Sequence, residues 1–203
     1  GPLRVVIDTD ARNEIDDHYA VALALGFPER LRIEGIVAAH FGKTEDIEGS
    51  LEDIRQILKH AGMEGKIPVA RGVGPLTEGR PVPTSDGIEL ILERARAATR
   101  EDPLWLVVLG AVTDVVAAFE RDPSIADRVI VFWHGRSNWP VECRNFNARK
   151  DPVAARRAFD LPSRFVLFDT GAQLKMPVEE VERRYVPLGP LGAHLRAIRN
   201  RHP

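Results

Sequence analysis

The sequence predicts a single α/β domain built on a mostly parallel, Rossmann-like sheet with helices on both faces. Three observations predict it. Strand-like and helix-like patterns alternate along the whole chain, as they do when parallel strands are joined by crossover helices. The runs Leu104–Leu109 (LWLVVL) and Val129–Trp133 (VIVFW) are apolar without alternation, as expected of strands covered on both faces. An acidic cluster stands where the first apolar run hands over to a helix, the edge at which open parallel sheets bind ligands. A length of 203 residues suits one domain, 1–203, with a well-buried core.

Taken in order, Leu3–Ile7 reads as a strand and Ile15–Gly26 as a helix ended by Gly26 and Pro28. Leu31–Ala39 is the next strand. Ile47–Ala61 carries Ile47, Leu51, Ile54 and Leu58 at helical spacing and stops at Gly62. Ile67–Ala70 is a short strand, followed by a Gly/Pro-rich loop over 72–83. Asp86 with Glu89 three residues on reads as a capping box for a helix reaching Ala98. After the strand Leu104–Leu109, Gly110 turns the chain into a helix, Thr113–Glu120. Val129–Trp133 is a strand and 134–150 an irregular polar-aromatic loop. Asp151-Pro152 supplies an N-cap and a first-turn proline for the helix Val153–Phe159. Arg164–Phe168 is a sixth strand, and helical patterns over Val178–Arg184 and Leu191–Arg199 follow.

Composition narrows the partners. Lys and Arg number 28 against 30 Asp and Glu, so charge argues for neither nucleic acid nor a membrane surface. No apolar run approaches membrane-spanning length. The single cysteine, Cys143, cannot form an internal disulfide and suits a cytoplasmic location. Gly1-Pro2 reads as a cleavage scar and is left out of the fold reasoning.

The chemistry concentrates in the stretch VVIDTDARNEIDDHYAVALAL, residues 5–25. Asp8, Asp10, Asp16 and Asp17 fall within ten residues, with Glu14 among them. Carboxylates so close raise one another's pKa unless a cation neutralises them, and oxygen donors suit a hard ion such as Ca²⁺ or Mg²⁺. The competing structural reading is ordinary: Asp at a strand end forms turns, and acids favour a helix's first turn. Later strand ends add candidates. Gly110-Ala111-Val112-Thr113-Asp114 offers small residues that admit a ligand and a main-chain carbonyl that could hold a cation, or simply a tight turn. The loop with Trp133, His134, Asn138, Trp139, Asn145, Phe146 and Asn147 combines amides for hydroxyls with rings for a flat base. His134 is the candidate proton donor by position.

These residues carry a resemblance. The aspartate loop resembles the N-terminal D-x-D…D-D signature of the nucleoside hydrolase family, here two residues longer than its commonest form. Gly110–Asp114 resembles that family's G-x-L-T-N segment, and Asn145-Phe146-Asn147 before Asp151-Pro152 resembles E-F-N-x-x-x-D-P. The resemblance implies a Ca²⁺-dependent hydrolase that cleaves the N-glycosidic bond of a ribonucleoside. It implies Asp10, Asp17 and the Thr113 carbonyl as calcium ligands, Asp10 also as general base, and Asp8 behind them. Asp16, Asn138 and Asn147 are implied at the ribose, with Asn145, Phe146 and Trp133 around the substrate. Asn145 replaces the usual glutamate. Family members run on past Pro203 with a histidine for the leaving group and a further calcium aspartate, and no His-Asp pair follows Lys150 here. Weak calcium binding, slow turnover and a homo-oligomer formed over uncovered apolar surface are the expectations. Two rivals are a nucleoside- or carbohydrate-binding protein with a degenerate site, and a Mg²⁺-dependent phosphoryl-transfer enzyme.

Overall fold

The computed structural model describes residues 1–137, 145–169 and 177–201, with backbone alone for 200 and 201. Its strands are β1 (Leu3–Thr9), β2 (Leu31–Ala38), β3 (Val69–Arg71), β4 (Leu104–Val108), β5 (Val129–Arg136) and β6 (Arg164–Asp169). The helices are α1 (Ile15–Leu25), α2 (Asp46–His60), α3 (Asp86–Arg96), α4 (Thr113–Arg121), α5 (Phe146–Lys150), α6 (Pro152–Ala158), α7 (Val178–Arg184) and α8 (Pro190–Arg201), with 3-10 turns at Pro123–Arg128 and Val186–Leu188. All strand pairs are parallel, in the order β3-β2-β1-β4-β5-β6. The chain builds outward from β1 on one side, then returns to β4 and builds outward on the other. The crevice between the ends of β1 and β4 is therefore the switch point at which such sheets bind ligands.

Two apolar layers flank the sheet, and β1 feeds both because successive strand side chains point to opposite faces. Val5 and Ile7 pack with Val21 of α1 and Leu51, Ile54 and Ile57 of α2. Val6 packs with Ile88 and Ile91 of α3 and Val115 and Val116 of α4. This parity carries through to the polar end of the strand: Asp8 shares the face of Val6 and Thr9 that of Val5. The β1–β2 register shifts at Val5/Val6, leaving Glu34 in a bulge, where Arg4 grips it with two hydrogen bonds of 2.8 and 2.9 Å. Arg4 also donates to the Ala97 carbonyl at the end of α3. The outermost strand, β6, has no buried position, and Val166, Phe168 and the neighbouring Phe159 are exposed. No helix among the described residues is long and apolar enough to cross a membrane.

Several expectations need correction. The N-cap of α3 is Ser85, whose hydroxyl accepts from the Ile88 amide; Asp86 lies inside the first turn and accepts from the Arg71 amide. The supposed irregular loop over 134–150 contains the end of β5 and a short helix, α5, capped by Asn145 through the Ala148 amide. Asp151 does cap α6, and it does more. One oxygen accepts from Ala154, and the other accepts from the Leu76 amide and from Thr113 Oγ1. Asp151→Ala removes the acceptor for two buried amides and a buried hydroxyl at once, so it is expected to cost about 3 kcal/mol or more. Urea unfolding checks this, and a loss below about 1 kcal/mol would show that water replaces the carboxylate easily.

Candidate functional site

The end of β1 divides its donors between the two faces of the sheet. Thr9, on the α1 side, donates from Oγ1 to Asp17 Oδ2 at 2.6 Å. Asp8, on the α4 side, meets Asp114, whose other partner is the Val73 amide at 2.7 Å. Asp10 follows, and the Asn13 amide closes a turn on its carbonyl at 2.7 Å. Asp8, Asp10, Asp17 and Asp114 are all buried, and no lysine or arginine pairs with them among the described residues. Two glycines make the crowding possible. A Cβ on Gly110 would stand 2.7 Å from Asp10 Oδ1, and one on Gly72 would collide with the Asp114 carboxylate.

Uncompensated burial sets the electrostatics. Desolvation is the main force raising Asp8 and Asp17 well above the usual carboxylate range, and mutual repulsion adds to it. Burial pushes Asp10 up to about 6, against hydrogen bonding from Asp17, with Asp16 and Glu14 adding repulsion. Burial likewise pushes Asp114 up to about 7. As two carboxylates, Asp8 and Asp114 have no proton to bond through, and both oxygens of Asp8 are then unpartnered. Burial of both, with the charge of Asp114 acting on Asp8, favours keeping a proton on the pair. Asp10 Oδ2 is also buried without a partner, and unlike Asp8 it opens on a cavity.

That cavity, of about 170 Å³, is lined by Asp10, Asn13, Glu14, Asp16, Asp17, Leu109, His134, Ser137, Asn145, Phe146 and Asn147. At about 30 Å³ per water its volume corresponds to a handful of waters, the scale of a sugar ring. Asn147 braces its floor: Nδ2 donates to the carbonyls of Leu109 at 2.6 Å and His134 at 2.9 Å. Two carbonyl partners fix the amide orientation, leaving Oδ1 as the side chain's acceptor. The Phe146 ring forms part of the wall, with Lys150 Nζ 4.3 Å from its centroid. Burial lowers the pKa of His134, against a smaller upward pull from Asp16, so the ring is neutral at pH 7.

Of the expected site residues, Asp10, Asp16, Asp17, His134, Asn145, Phe146 and Asn147 come together here, and Asp8 lies directly behind. Asn138 falls outside the described residues. Thr113 and Trp133 are not at the cavity. Thr113 Oγ1 sits in a buried chain in which the Gly42 amide donates to His40 Nδ1, His40 Nε2 pairs with Thr113 Oγ1 at 2.8 Å, and Oγ1 donates to Asp151. The first turn of α4 begins at Thr113, and Leu109 lines the cavity instead. Trp133 is a core residue, 1% exposed, whose Nε1 donates to the Gly110 carbonyl. Alternation along β5 sends Trp133 inward and His134 to the cavity side. His18 is buried, with Nε2 3.5 Å from Asp53 Oδ2. The sequence reading noted Glu14 in the acidic cluster without giving it a role, and it assigned none to Asp114, Leu109, Asn13 or Ser137. An aspartate in the first turn of the helix that follows β4 was the available signal for Asp114.

Among the described residues no three His, Cys, Asp or Glu side chains converge as a ready-made metal cage. Two adjacent carboxylates, one with an orphaned buried oxygen, nevertheless fit a hard cation with the rest of its shell from carbonyl, water or ligand.

A parallel sheet in this strand order, with an acidic, amide-walled cavity at its switch point, defines a Rossmann-type α/β protein built to bind a small polar ligand. The chain belongs to the inosine-uridine preferring nucleoside hydrolase family, whose profile matches residues 5–200. Among solved structures it resembles a plant nucleoside hydrolase, PpNRh1 (24% identity, TM-score 0.75, 98% of this chain and 70% of that one). It also resembles a purine-preferring ribonucleoside hydrolase from Gardnerella vaginalis (18%, TM-score 0.74, 96% and 71%). A third is the type III effector protein XopQ complexed with adenosine diphosphate ribose (20%, TM-score 0.77, 97% and 65%). These likenesses show the fold. No curated protein matches the sequence significantly.

The raised carboxyl pKa values give the metal-free protein an unusual pH dependence. A carboxyl that holds its proton more tightly when folded stabilises the fold below its folded pKa, and loses that contribution as pH rises through it. With an ordinary value of 3.8 and folded values of about 6 for Asp10 and about 7 for Asp114, stability should rise as pH falls from 8 to 6.5. Below 6.5 the buried His40 and the half-buried His134 resist charging and oppose the gain. Thermal melts in chelator check this; a Tm that climbs steadily from pH 6.5 to 8 would contradict it.

Proposed function

We propose that the protein is a Ca²⁺-dependent hydrolase of the N-glycosidic bond of ribonucleosides, converting a nucleoside and water into base and ribose. The observation that carries this reading is Asp10: a buried carboxylate beside Asp17, with one oxygen unpartnered, at the mouth of a sugar-sized cavity. Family membership supports nucleoside hydrolysis in general. Asp10, Asp17 and the Leu109 carbonyl are the ion's protein donors, with Leu109 taking the place first assigned to Thr113. When bound, Ca²⁺ supplies positive charge that relieves the carboxylate repulsion and acidifies a water.

The chain's own residues do the rest. Thr9 fixes Asp17 by hydrogen bond, and Asp8 supports the cluster from behind through the proton held on its pair with Asp114. Asp10 takes the proton of the attacking water as general base. Asp16 and Asn147 Oδ1 accept from ribose hydroxyls, and Asn138 belongs to the same group. The Phe146 ring offers a face to the base. As water bonds to the anomeric carbon, the glycosidic electron pair leaves with the base. His134, neutral at pH 7, serves that base as a hydrogen-bond donor. The clustered aspartates lie on one side of the cavity, so the flanking-carboxylate glycosidase arrangement does not apply.

Two protein carboxylates are few for calcium, and the affinity is expected near about 10⁻⁴ M or weaker. The exposed Phe159, Val166 and Phe168 along β6 support a homo-oligomer, since apolar patches of this kind favour association. A single cysteine suits a reducing, cytoplasmic setting. The reading as a binding protein without turnover is separated from this one by assay alone.

Asp10→Ala is the test. It should abolish sugar release from inosine and uridine and remove the calcium-dependent rise in stability, about 2.7 kcal/mol at a hundredfold excess over Kd in the parent. The calcium-free variant should fold at least as stably as the parent, because one buried like charge is gone. An unchanged calcium shift in the variant would show that the ion sits elsewhere.

A further inference from the structure

We infer that Glu14 is a substrate-binding residue, its carboxylate accepting a hydrogen bond from a ribose hydroxyl in the cavity. The inference rests on the proposed nucleoside reading and deepens it. Three observations lead to it.

First, both ends of the Asn145 amide are engaged by the fold. Its Oδ1 accepts from the Ala148 amide and caps α5, and its Nδ2 donates to Ser137 Oγ at 3.1 Å. It is 5% exposed and belongs to the wall. Second, the loop that carries Glu14 is held in place from outside the cavity. Arg12 forms a two-pronged bond to Asp53 of α2, 2.8 Å on each arm. With Arg12 drawn outward and the Asn13 amide closed onto the Asp10 carbonyl, Asn13 and Glu14 both line the cavity. Third, Glu14 has no structural employment. It occupies the N-cap position of α1 in extended backbone, yet its side chain makes no capping bond. No hydrogen bond or ion pair engages its carboxylate among the described residues, although the residue shares the cavity wall with Asp16 and Asn147.

A carboxylate is an acceptor only, and a sugar hydroxyl is the donor that matches it. A charged acceptor also makes a stronger bond than a neutral one. Asp10 and Asp17 are committed to the cation in the proposed function, so Glu14 and Asp16 are the carboxylates left to face the sugar. A phosphate at the hydroxyl Glu14 receives would meet a like charge, so the residue also discriminates against a phosphorylated sugar there.

The test compares the calcium-loaded parent protein with Glu14→Gln and Glu14→Ala by calorimetry. The probes are inosine and its 2′-, 3′- and 5′-deoxy analogues, with calcium titrated separately. Glu14→Gln should bind inosine about tenfold more weakly, the size of one charge-assisted bond lost to a neutral one. Calcium affinity should stay within about twofold, since a role confined to substrate leaves the metal site alone. One deoxy analogue should be penalised in the parent and bind both variants as well as inosine does, a coupling that a helix-capping role would not produce. Inosine binding equal to the parent's in both variants would overturn the assignment while leaving the proposed function standing. So would a fall in calcium affinity, which would make Glu14 a metal ligand, or deoxy penalties unchanged by the mutation. Failure of the parent to bind inosine at all would overturn the proposed function, and this inference with it.

Discussion

Four carboxyl groups buried without a cationic partner among the described residues dominate this molecule. Asp8, Asp10, Asp17 and Asp114 are drawn together by the one place in the sheet where the chain reverses direction of growth, between the ends of β1 and β4. Their burial would be prohibitively costly if all were ionised. The structure lowers that cost by two routes. Burial favours a proton on the Asp8 and Asp114 pair, deep on the α4 side. Asp10 and Asp17 receive partial help from Thr9, and the remaining field is available to a cation from solvent. Asp8 meets Asp114 on the α4 side and Thr9 bonds Asp17 on the α1 side, so the pleat of β1 divides the acidic cluster between two faces.

Around this centre several polar groups are tied into networks, while His134 Nε2 and one oxygen of Asp114 are buried without a partner. The chain from the Gly42 amide through His40 and Thr113 to Asp151 ties together the loops after β2 and β4 and the start of α6. Since Thr113 gives its hydroxyl proton to Asp151, His40 must donate from Nε2, and Nδ1 accepts from Gly42. Burial lowers the pKa of His40 and keeps it in that neutral form. Asn147 joins the loop after β4 to the end of β5 in the same manner. Fully paired networks of this kind rigidify what they connect.

The strands, their parallel order and the position of the acidic loop were legible because hydrophobic runs and turn residues act locally. What the sequence could not show was direction. Trp133 and His134 are neighbours, and only the parity of β5 assigns one to the core and the other to the cavity. Thr113 and Leu109 flank the same glycine, and whether a carbonyl faces the cavity depends on where α4 takes its first turn. Asp114 is unremarkable in sequence until β4 is placed beside β1. Asn145 shows a further limit: an amide looks like a ligand group in sequence, but here helix capping occupies it.

The alternation at the end of β1 also bears on how the molecule tolerates changes in length. A residue added within Leu3–Thr9 would invert every side chain beyond it, sending Asp8 toward α1 and Thr9 toward α4. The segment 11–14 is under no such rule. It lies past the last paired residue, it is tethered by a single long arm from Arg12 to Asp53, and it returns the chain to α1 in any case. Under the proposed function, a change of a residue or two within 12–14 leaves the β1 register intact and changes which side chain is offered to the cavity. Substrate preference is therefore the property most open to change there, while Ala11 stays packed in the core.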